Sequence, residues 1–130
     1  MAHILVVDDD AQVRVMLSRF IKKMGHDVAL AENGKEAMQY IAAQKVDLML
    51  LDIFMPGQDG FETILRILDW ADCPKIIAIT GGSVKMGHDF VLSISRKLPI
   101  EDILLKPISF EILYVAIEKV LTAGLAAPDS

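Results

Sequence analysis

The stretch Leu48-Met49-Leu50-Leu51-Asp52-Ile53-Phe54-Met55-Pro56-Gly57-Gln58-Asp59-Gly60 decides the fold. Four consecutive apolar residues end in an acid, and a loop holding Pro56 and Gly57 follows. The run reads as a buried strand, and core packing explains the carboxylate at its end poorly. In an open parallel sheet, strand ends face the ligand crevice. Three other apolar runs end the same way: residues 4–7 in Asp8-Asp9-Asp10, 76–79 in Thr80, and 103–105 in Lys106. Four strands thus deliver acids, a hydroxyl and an amine to one rim.

Between these runs the pattern changes to helical spacing. After the first strand, Asp10 caps a helix with Val13, Met16, Leu17, Phe20, Ile21 and Met24 inward, and Gly25 stops it. Residues 27–31 form a weaker, more alternating strand, as an edge strand does. Asn33 caps a short helix with Ala37, Met38 and Ile41 inward. Asp59 or Gly60 opens a helix with Phe61, Ile64, Leu65 and Leu68 on one face and Trp70 near its end. A poorly patterned helix is expected around 86–97. Ser109 caps the last helix, with Leu113, Ala116, Ile117, Val120 and Leu121 inward and Tyr114 and Val115 outward.

Five strands alternating with five helices specify an α/β three-layer fold. Right-handed crossovers limit the topologies, and the flavodoxin-like, doubly wound order 2-1-3-4-5 makes the weak second strand an edge. That order sets the first and third strands side by side and brings Asp8, Asp9 and Asp52 together. The domain is expected over residues 1–122, with 123–130 as a flexible C-terminal tail.

Composition narrows the function. A chain of 130 residues, 53% hydrophobic, builds one ordinary domain. No apolar run approaches the roughly 20 residues of a membrane helix, and no signal peptide is visible, so the expected compartment is cytoplasmic. A net charge of −5 argues against a large nucleic-acid footprint. The lone Cys73 forms no internal disulfide, and His3, His26 and His88 lack metal-ligand spacing.

Three carboxylates packed together repel one another, and a divalent cation resolves this. Hard oxygen ligands with room for water and phosphate oxygens suit Mg²⁺. A carboxylate beside that ion can attack a phosphoryl group. The equatorial oxygens then need neutralising, for which Lys106 and Thr80 are suitable residue types. Each piece has a plainer reading: Asp8 to Asp10 as a helix cap, Asp52 as a turn acid, Thr80 as a strand-end hydroxyl. Their occurrence together, at successive strand ends, is what the plainer readings do not explain.

These motifs resemble the receiver domain of bacterial two-component response regulators, of the stand-alone, chemotaxis-regulator-like kind. The likeness covers about residues 3–122. It rests on Val6-Val7-Asp8-Asp9-Asp10, on Leu51-Asp52 through Met55-Pro56 to Asp59-Gly60, on Thr80-Gly81 and on Leu105-Lys106-Pro107. The resemblance implies that Asp52 accepts a phosphoryl group from a histidine kinase or histidine phosphotransfer protein. It implies that Asp8, Asp9 and Asp52 hold Mg²⁺ together with the backbone carbonyl of Phe54. Lys106 and Thr80 would bind phosphoryl oxygens, and Lys106-Pro107 would be cis. Output would be contact with a downstream protein, by a monomer or weak dimer, without nucleic acid or membrane. No enzymatic turnover is implied beyond self-catalysed phosphorylation of Asp52 and slow autodephosphorylation.

The chain departs from that family at three places. Ile103 stands where relatives commonly carry an aromatic coupled to the threonine. The Thr80-to-Lys106 span of 106 − 80 = 26 positions is slightly long. Phe54 and Gly82 flank the path of the hydrolytic water, and the bulk of Phe54 is expected to prolong the life of phosphoryl-Asp52. The absence of an output module after Leu121 is read as a stand-alone receiver, with a domain of a larger regulator or hybrid kinase as the alternative. A phosphorelay shuttle is the alternative role. A haloacid-dehalogenase-like phosphatase is disfavoured by Gln12 in the fifth position of its Asp-x-Asp-x-Thr pattern. A non-phosphorylated module would have lost an acid or the lysine, and nucleotide or flavin binding lacks a glycine-rich phosphate loop.

Overall fold

The computed structural model describes residues 2–53, 66, 73–81 and 100–126. Five strands, β1 (His3–Val7), β2 (Asp27–Ala31), β3 (Leu48–Asp52), β4 (Lys75–Gly81) and β5 (Ile100–Lys106), form one parallel sheet of order β2-β1-β3-β4-β5. This is the flavodoxin-like order expected from the sequence. Helices α1 (Ala11–Lys23), α2 (Gly34–Ala43) and α3 (Phe110–Ala126) pack on it. The helices expected after Asp59 and around 86–97 lie outside the described residues.

Strand alternation sorts the core into two layers. Ile4, Val6, Leu48, Leu50, Ile77 and Ile79 point to the side of α1 and α3, where they meet Leu17, Ile21, Leu113 and Ile117. Leu5, Val7, Met49, Leu51, Ile76 and Ala78 point to the side of α2, where they meet Ala37 and Ile41. The central β1 and β3 are apolar on both faces, which explains their unbroken hydrophobic runs. The edge strand β2 is more open than the central strands, with Asp27 and Leu30 exposed, Val28 and Ala29 partly buried and Ala31 buried. Its burial therefore does not alternate strictly as the sequence reading expected.

Local signals hold the helix ends. Asp10 accepts from the Gln12 N–H, and Asn33 accepts from the Glu36 N–H at 2.8 Å. At the end of α1, Gly25 takes φ +94°. Its N–H donates to Lys22 O and that of His26 donates to Ile21 O, a closure that needs the left-handed residue.

Three details correct the sequence reading. Met16, expected inward on α1, is 41% exposed. The inward stripe is narrower, with Leu17 and Ile21 fully buried and Val13, Phe20 and Met24 partly so. Strands β4 and β5 continue through Thr80 and Lys106, because Thr80 pairs with Leu105 and Gly81 with Lys106. A polar residue ends hydrophobic burial without ending backbone pairing. Finally, α3 runs on to Ala126, because alanine and leucine favour helix strongly enough to carry one glycine. The β4–β5 register also shifts between Ile76 and Ile77, so Glu101 is an extra residue in β5 and accounts for part of the 26-position span. The rest of that span lies outside the described residues.

Candidate functional site

Register brings the acids together. Val7 pairs with Leu51, so Asp8 and Asp52 follow as neighbours at the same end of adjacent strands. Asp52 also pairs with Ile79, and Ile79 with Leu104. Lys106 lies two positions past Leu104 on β5 and shares its face. Asp8, Asp52 and Lys106 therefore converge above the α1–α3 side of the sheet. Thr80 is one position past Ile79, at the same rim and 2% exposed, but pleat alternation gives it the parity of Ala78.

Asp8 and Asp52 are buried at 1% and 3% exposure, while Asp9 is exposed. The three residues offer carboxylate oxygens within 4.8 Å of one another. The Lys106 ammonium spans two of them. Its Nζ donates to Asp52 Oδ2 at 3.0 Å and lies 3.0 Å from Asp8 Oδ2. The second contact is an ion pair without hydrogen-bond alignment. Among the described residues, Asp8 Oδ2 is the one buried side-chain oxygen or nitrogen lacking a hydrogen bond.

The charges strain against burial. Desolvation pushes the Asp8 carboxyl above the ordinary carboxylate range, against the pull of the Asp10 N–H and Lys106, and the Asp52 charge adds to the rise. For Lys106, burial disfavours the ammonium, but its hydrogen bond to Asp52 and its contact with Asp8 outweigh that and hold its pKa above the usual lysine value. A buried carboxylate oxygen without a directed donor, beside two further acids, fits a small hard cation. Hard, all-oxygen donors with one exposed side suit Mg²⁺ better than a softer metal.

The remaining expectations resolve simply. Lys106–Pro107 is cis. Phe54 lies outside the described residues. Burial pushes the Cys73 thiol up, toward its inert neutral form. His3 hydrogen-bonds Tyr40, and His26 lies 3.3 Å from a Glu118 oxygen, so both tie elements together. Among the described residues no helix is long and apolar enough to cross a membrane. Sequence reasoning missed Arg14, whose Nη1 donates to the Asp8 carbonyl at 2.7 Å. A cation one turn inside α1, next to a helical apolar stripe, was its only sequence signal.

A second feature adjoins the rim. Val15, Met16 and Phe110 are 47%, 41% and 40% exposed, and Phe110 stacks on Phe20 with ring centroids 4.7 Å apart. They line a groove of about 620 Å³ between α1 and α3, together with Gln12, Arg19 and Lys23. Its lining on α1 extends from Ala11, directly after the acidic turn, to Lys23, and Phe110 of α3 completes it against Phe20.

Comparison with known proteins agrees with this geometry. The family model of the response regulator receiver domain matches residues 4–118. Protein PilH of Pseudomonas aeruginosa is 33% identical over 121 residues, 93% of this chain and 98% of that protein. Transcriptional regulatory protein AfsQ1 of Streptomyces coelicolor is 31% identical over 124 residues, 95% of this chain but 53% of that protein. The chain spans about half the length, or less, of several curated relatives it matches. The response regulator TrrA of Thermotoga maritima, solved in complex with Mg²⁺ and BeF, superposes with a TM-score of 0.79 at 30% identity, covering 93% of this chain and 100% of that one. The chain belongs to the response regulator receiver domain family of two-component signalling.

Proposed function

We propose that this receiver domain is a phosphorylation-dependent switch whose phosphoacceptor is Asp52. The observation that carries the reading is the meeting of Asp8, Asp9 and Asp52 oxygens within 4.8 Å, spanned by one lysine ammonium 3.0 Å from two of them. Asp8, Asp9 and Asp52 would hold Mg²⁺, with the Phe54 carbonyl as a further ligand; the TrrA complex supports the choice of ion. When bound, the ion supplies positive charge for the equatorial oxygens of the transferred group.

An oxygen of Asp52 attacks phosphorus while the bond from phosphorus to the donor imidazole nitrogen breaks. The imidazole departs and takes up a proton. Lys106, already against Asp52, exchanges its contact with Asp8 for a new phosphoryl oxygen. Thr80 donates its hydroxyl to another. The group adds about −1.5 to −2 charge at pH 7 to a pocket that was already acidic. That change biases the packing around β4, β5 and α3, and only the difference in energy between the two states shifts the population. Water returns Asp52 to its free form slowly, with no other turnover.

The donor is a phosphohistidine on a histidine kinase or a histidine phosphotransfer protein. The α1–α3 groove supports this, because it starts at the lip of the acidic turn and offers apolar surface flanked by Arg19 and Lys23. A donor helix with an apolar stripe and acidic flanks would seat there and present its histidine to Asp52. The receiver acts inside the cell and signals onward by protein contact.

The test is incubation with Mg²⁺ and acetyl phosphate, followed by intact mass. Gain of one phosphoryl group, lost in Asp52→Asn and in EDTA, is expected. No gain in the wild-type chain with any donor would overturn the reading.

A further inference from the structure

Asp8 is tied at almost every polar atom. Its N–H donates to Ala31 O at 3.2 Å, and its Oδ1 accepts from the Asp10 N–H at 2.9 Å. Its carbonyl accepts from Arg14 Nη1 at 2.7 Å. Only Oδ2 lacks a directed partner, and that is the oxygen facing Lys106. Arg14 reaches back from the second turn of α1, as helical side chains lean toward the N-terminus. Its side chain is only 16% exposed, and its other terminal nitrogen lies 3.7 Å from Glu32 Oε2 at the end of β2.

The carbonyl that Arg14 holds belongs to the rigid, planar peptide joining Asp8 to Asp9. Fixing that plane fixes the starting points of both carboxylates. A charged donor at 2.7 Å is among the stronger hydrogen bonds available for the purpose. Its target is a main-chain oxygen rather than a carboxylate, so its charge is not spent on neutralising the pocket.

We propose that Arg14 is a positioning residue that sets the Asp8–Asp9 peptide for a small divalent cation, and that it governs selectivity for Mg²⁺ over larger ions. The inference rests on the Mg²⁺ reading above. Mg²⁺ demands near-ideal octahedral geometry at 2.0–2.1 Å, whereas Ca²⁺ accepts 2.3–2.6 Å and irregular ligands. A loosened peptide therefore costs Mg²⁺ more than Ca²⁺. Charge works the other way: removing a nearby cation should tighten both ions equally, since both are divalent.

The experiment measures Mg²⁺ and Ca²⁺ dissociation constants by titration calorimetry for the wild-type chain, Arg14→Met and Arg14→Lys, with thermal melts in EDTA as a check of folding. Outer-shell partners of metal ligands typically contribute about 10–100-fold in affinity. Arg14→Met is expected to weaken Mg²⁺ by about tenfold and Ca²⁺ by less than about threefold. Arg14→Lys, which keeps the charge but not the planar fork, should fall between the two. If Arg14→Met tightens both ions, or shifts them by one common factor, Arg14 acts through charge or general stability and the proposal is overturned. Should Arg14→Met fail to melt cooperatively, Arg14→Lys alone decides by whether its Mg²⁺ to Ca²⁺ ratio falls. No Mg²⁺ binding by the wild-type chain would overturn the metal reading and this inference together; binding with an unaltered ratio would overturn only this inference.

Discussion

The acidic rim and the α1–α3 groove lie side by side and break opposite rules. At the rim, charge is buried: Asp8 and Asp52 are almost fully enclosed with one lysine between them. In the groove, apolar surface is exposed: Val15, Met16 and Phe110 are open to solvent. Folding alone favours neither, since charges are normally left in water and large side chains covered. Both departures would be relieved by something that binds. A cation would answer the rim, and an apolar partner would answer the groove. Local rules tend to fail at functional sites, and here two failures of opposite sign adjoin the same acidic turn.

The largest expected effect lies at the rim. Lys106→Met leaves Asp8 and Asp52 facing each other without a cation. Metal-free stability should fall by about 2–3 kcal/mol, below the full range for breaking a buried pair because the lysine side chain is 27% exposed. The raised pKa of Lys106 gives the sign with pH. The stabilisation is complete below the ordinary lysine value of 10.5 and fades as pH climbs through the higher folded value. Urea melts in EDTA measure this, and added Mg²⁺ should restore part of the loss. An unchanged midpoint would mean that the rim is not held by its lysine.

Asp8→Asn should act in the opposite direction and less strongly. Burial raises the Asp8 pKa above its unfolded value, so the ionised form opposes folding at neutral pH. The penalty is present in full above the folded pKa, shrinks as pH falls through it, and is gone only below 3.8, where Asp8 is protonated in both states. The amide keeps the Asp10 contact and sheds the charge. A gain of about 1 kcal/mol at pH 7 in EDTA is expected, within the ordinary span of point substitutions. It should shrink with falling pH and vanish only below 3.8, and the variant should lose the stabilisation that Mg²⁺ gives the wild-type chain. A loss of stability at pH 7 would show that the ion pair with Lys106 outweighs the desolvation.

The groove separates from the rim by choice of donor. Met16→Glu places a charge on exposed apolar surface, so stability should stay within about 0.5 kcal/mol. Phosphorylation by acetyl phosphate should be unchanged, because that donor needs only the rim. Transfer from a phosphorylated histidine protein should slow about tenfold, equivalent to about 1.4 kcal/mol of lost contact. Equal slowing with both donors would tie Met16 to the chemistry and erase the distinction between the two regions.

The rim was legible in the sequence and the groove was not, for a physical reason. Leu48 to Leu51 followed by Asp52, and the parallel cases at Asp8 and Lys106, combine a strand signal with a residue that no core tolerates. Strand order then brings them together whatever the loops do. Met16 carries the same helical spacing as Leu17 and Phe20, and periodicity cannot tell the covered edge of a stripe from the open one. Only the position of α3, which packs at Leu17 and Ile21 and leaves Met16 open, decides that. Arg14 was illegible because its target is a backbone oxygen, which has no sequence signature. Thr80 and Lys106 were read as strand terminators, although pairing continues beneath polar side chains.

Ile103 tests whether the change at the rim travels along β5 through a side chain at all. It lies opposite Ala78 in the sheet and packs, half-buried, against the α2-side core, whereas Lys106 shares the face of Leu104. An isoleucine there has no polar ring to exchange between inside and outside, so it is expected to support the sheet without reporting on phosphorylation. Ile103→Val removes one methyl group and should cost about 0.5–1.5 kcal/mol, typical of that substitution. Amide hydrogen exchange over residues 100–126, compared with and without Asp52 phosphorylation, should show the same difference in the variant as in the wild-type chain. The two states lose the same methyl contact, and a ligand or modification moves an equilibrium only by what differs between them. If the difference shrinks, β5 is a side-chain relay despite its isoleucine, and the rim is coupled to the outer surface through the core rather than through Thr80 and Lys106 alone.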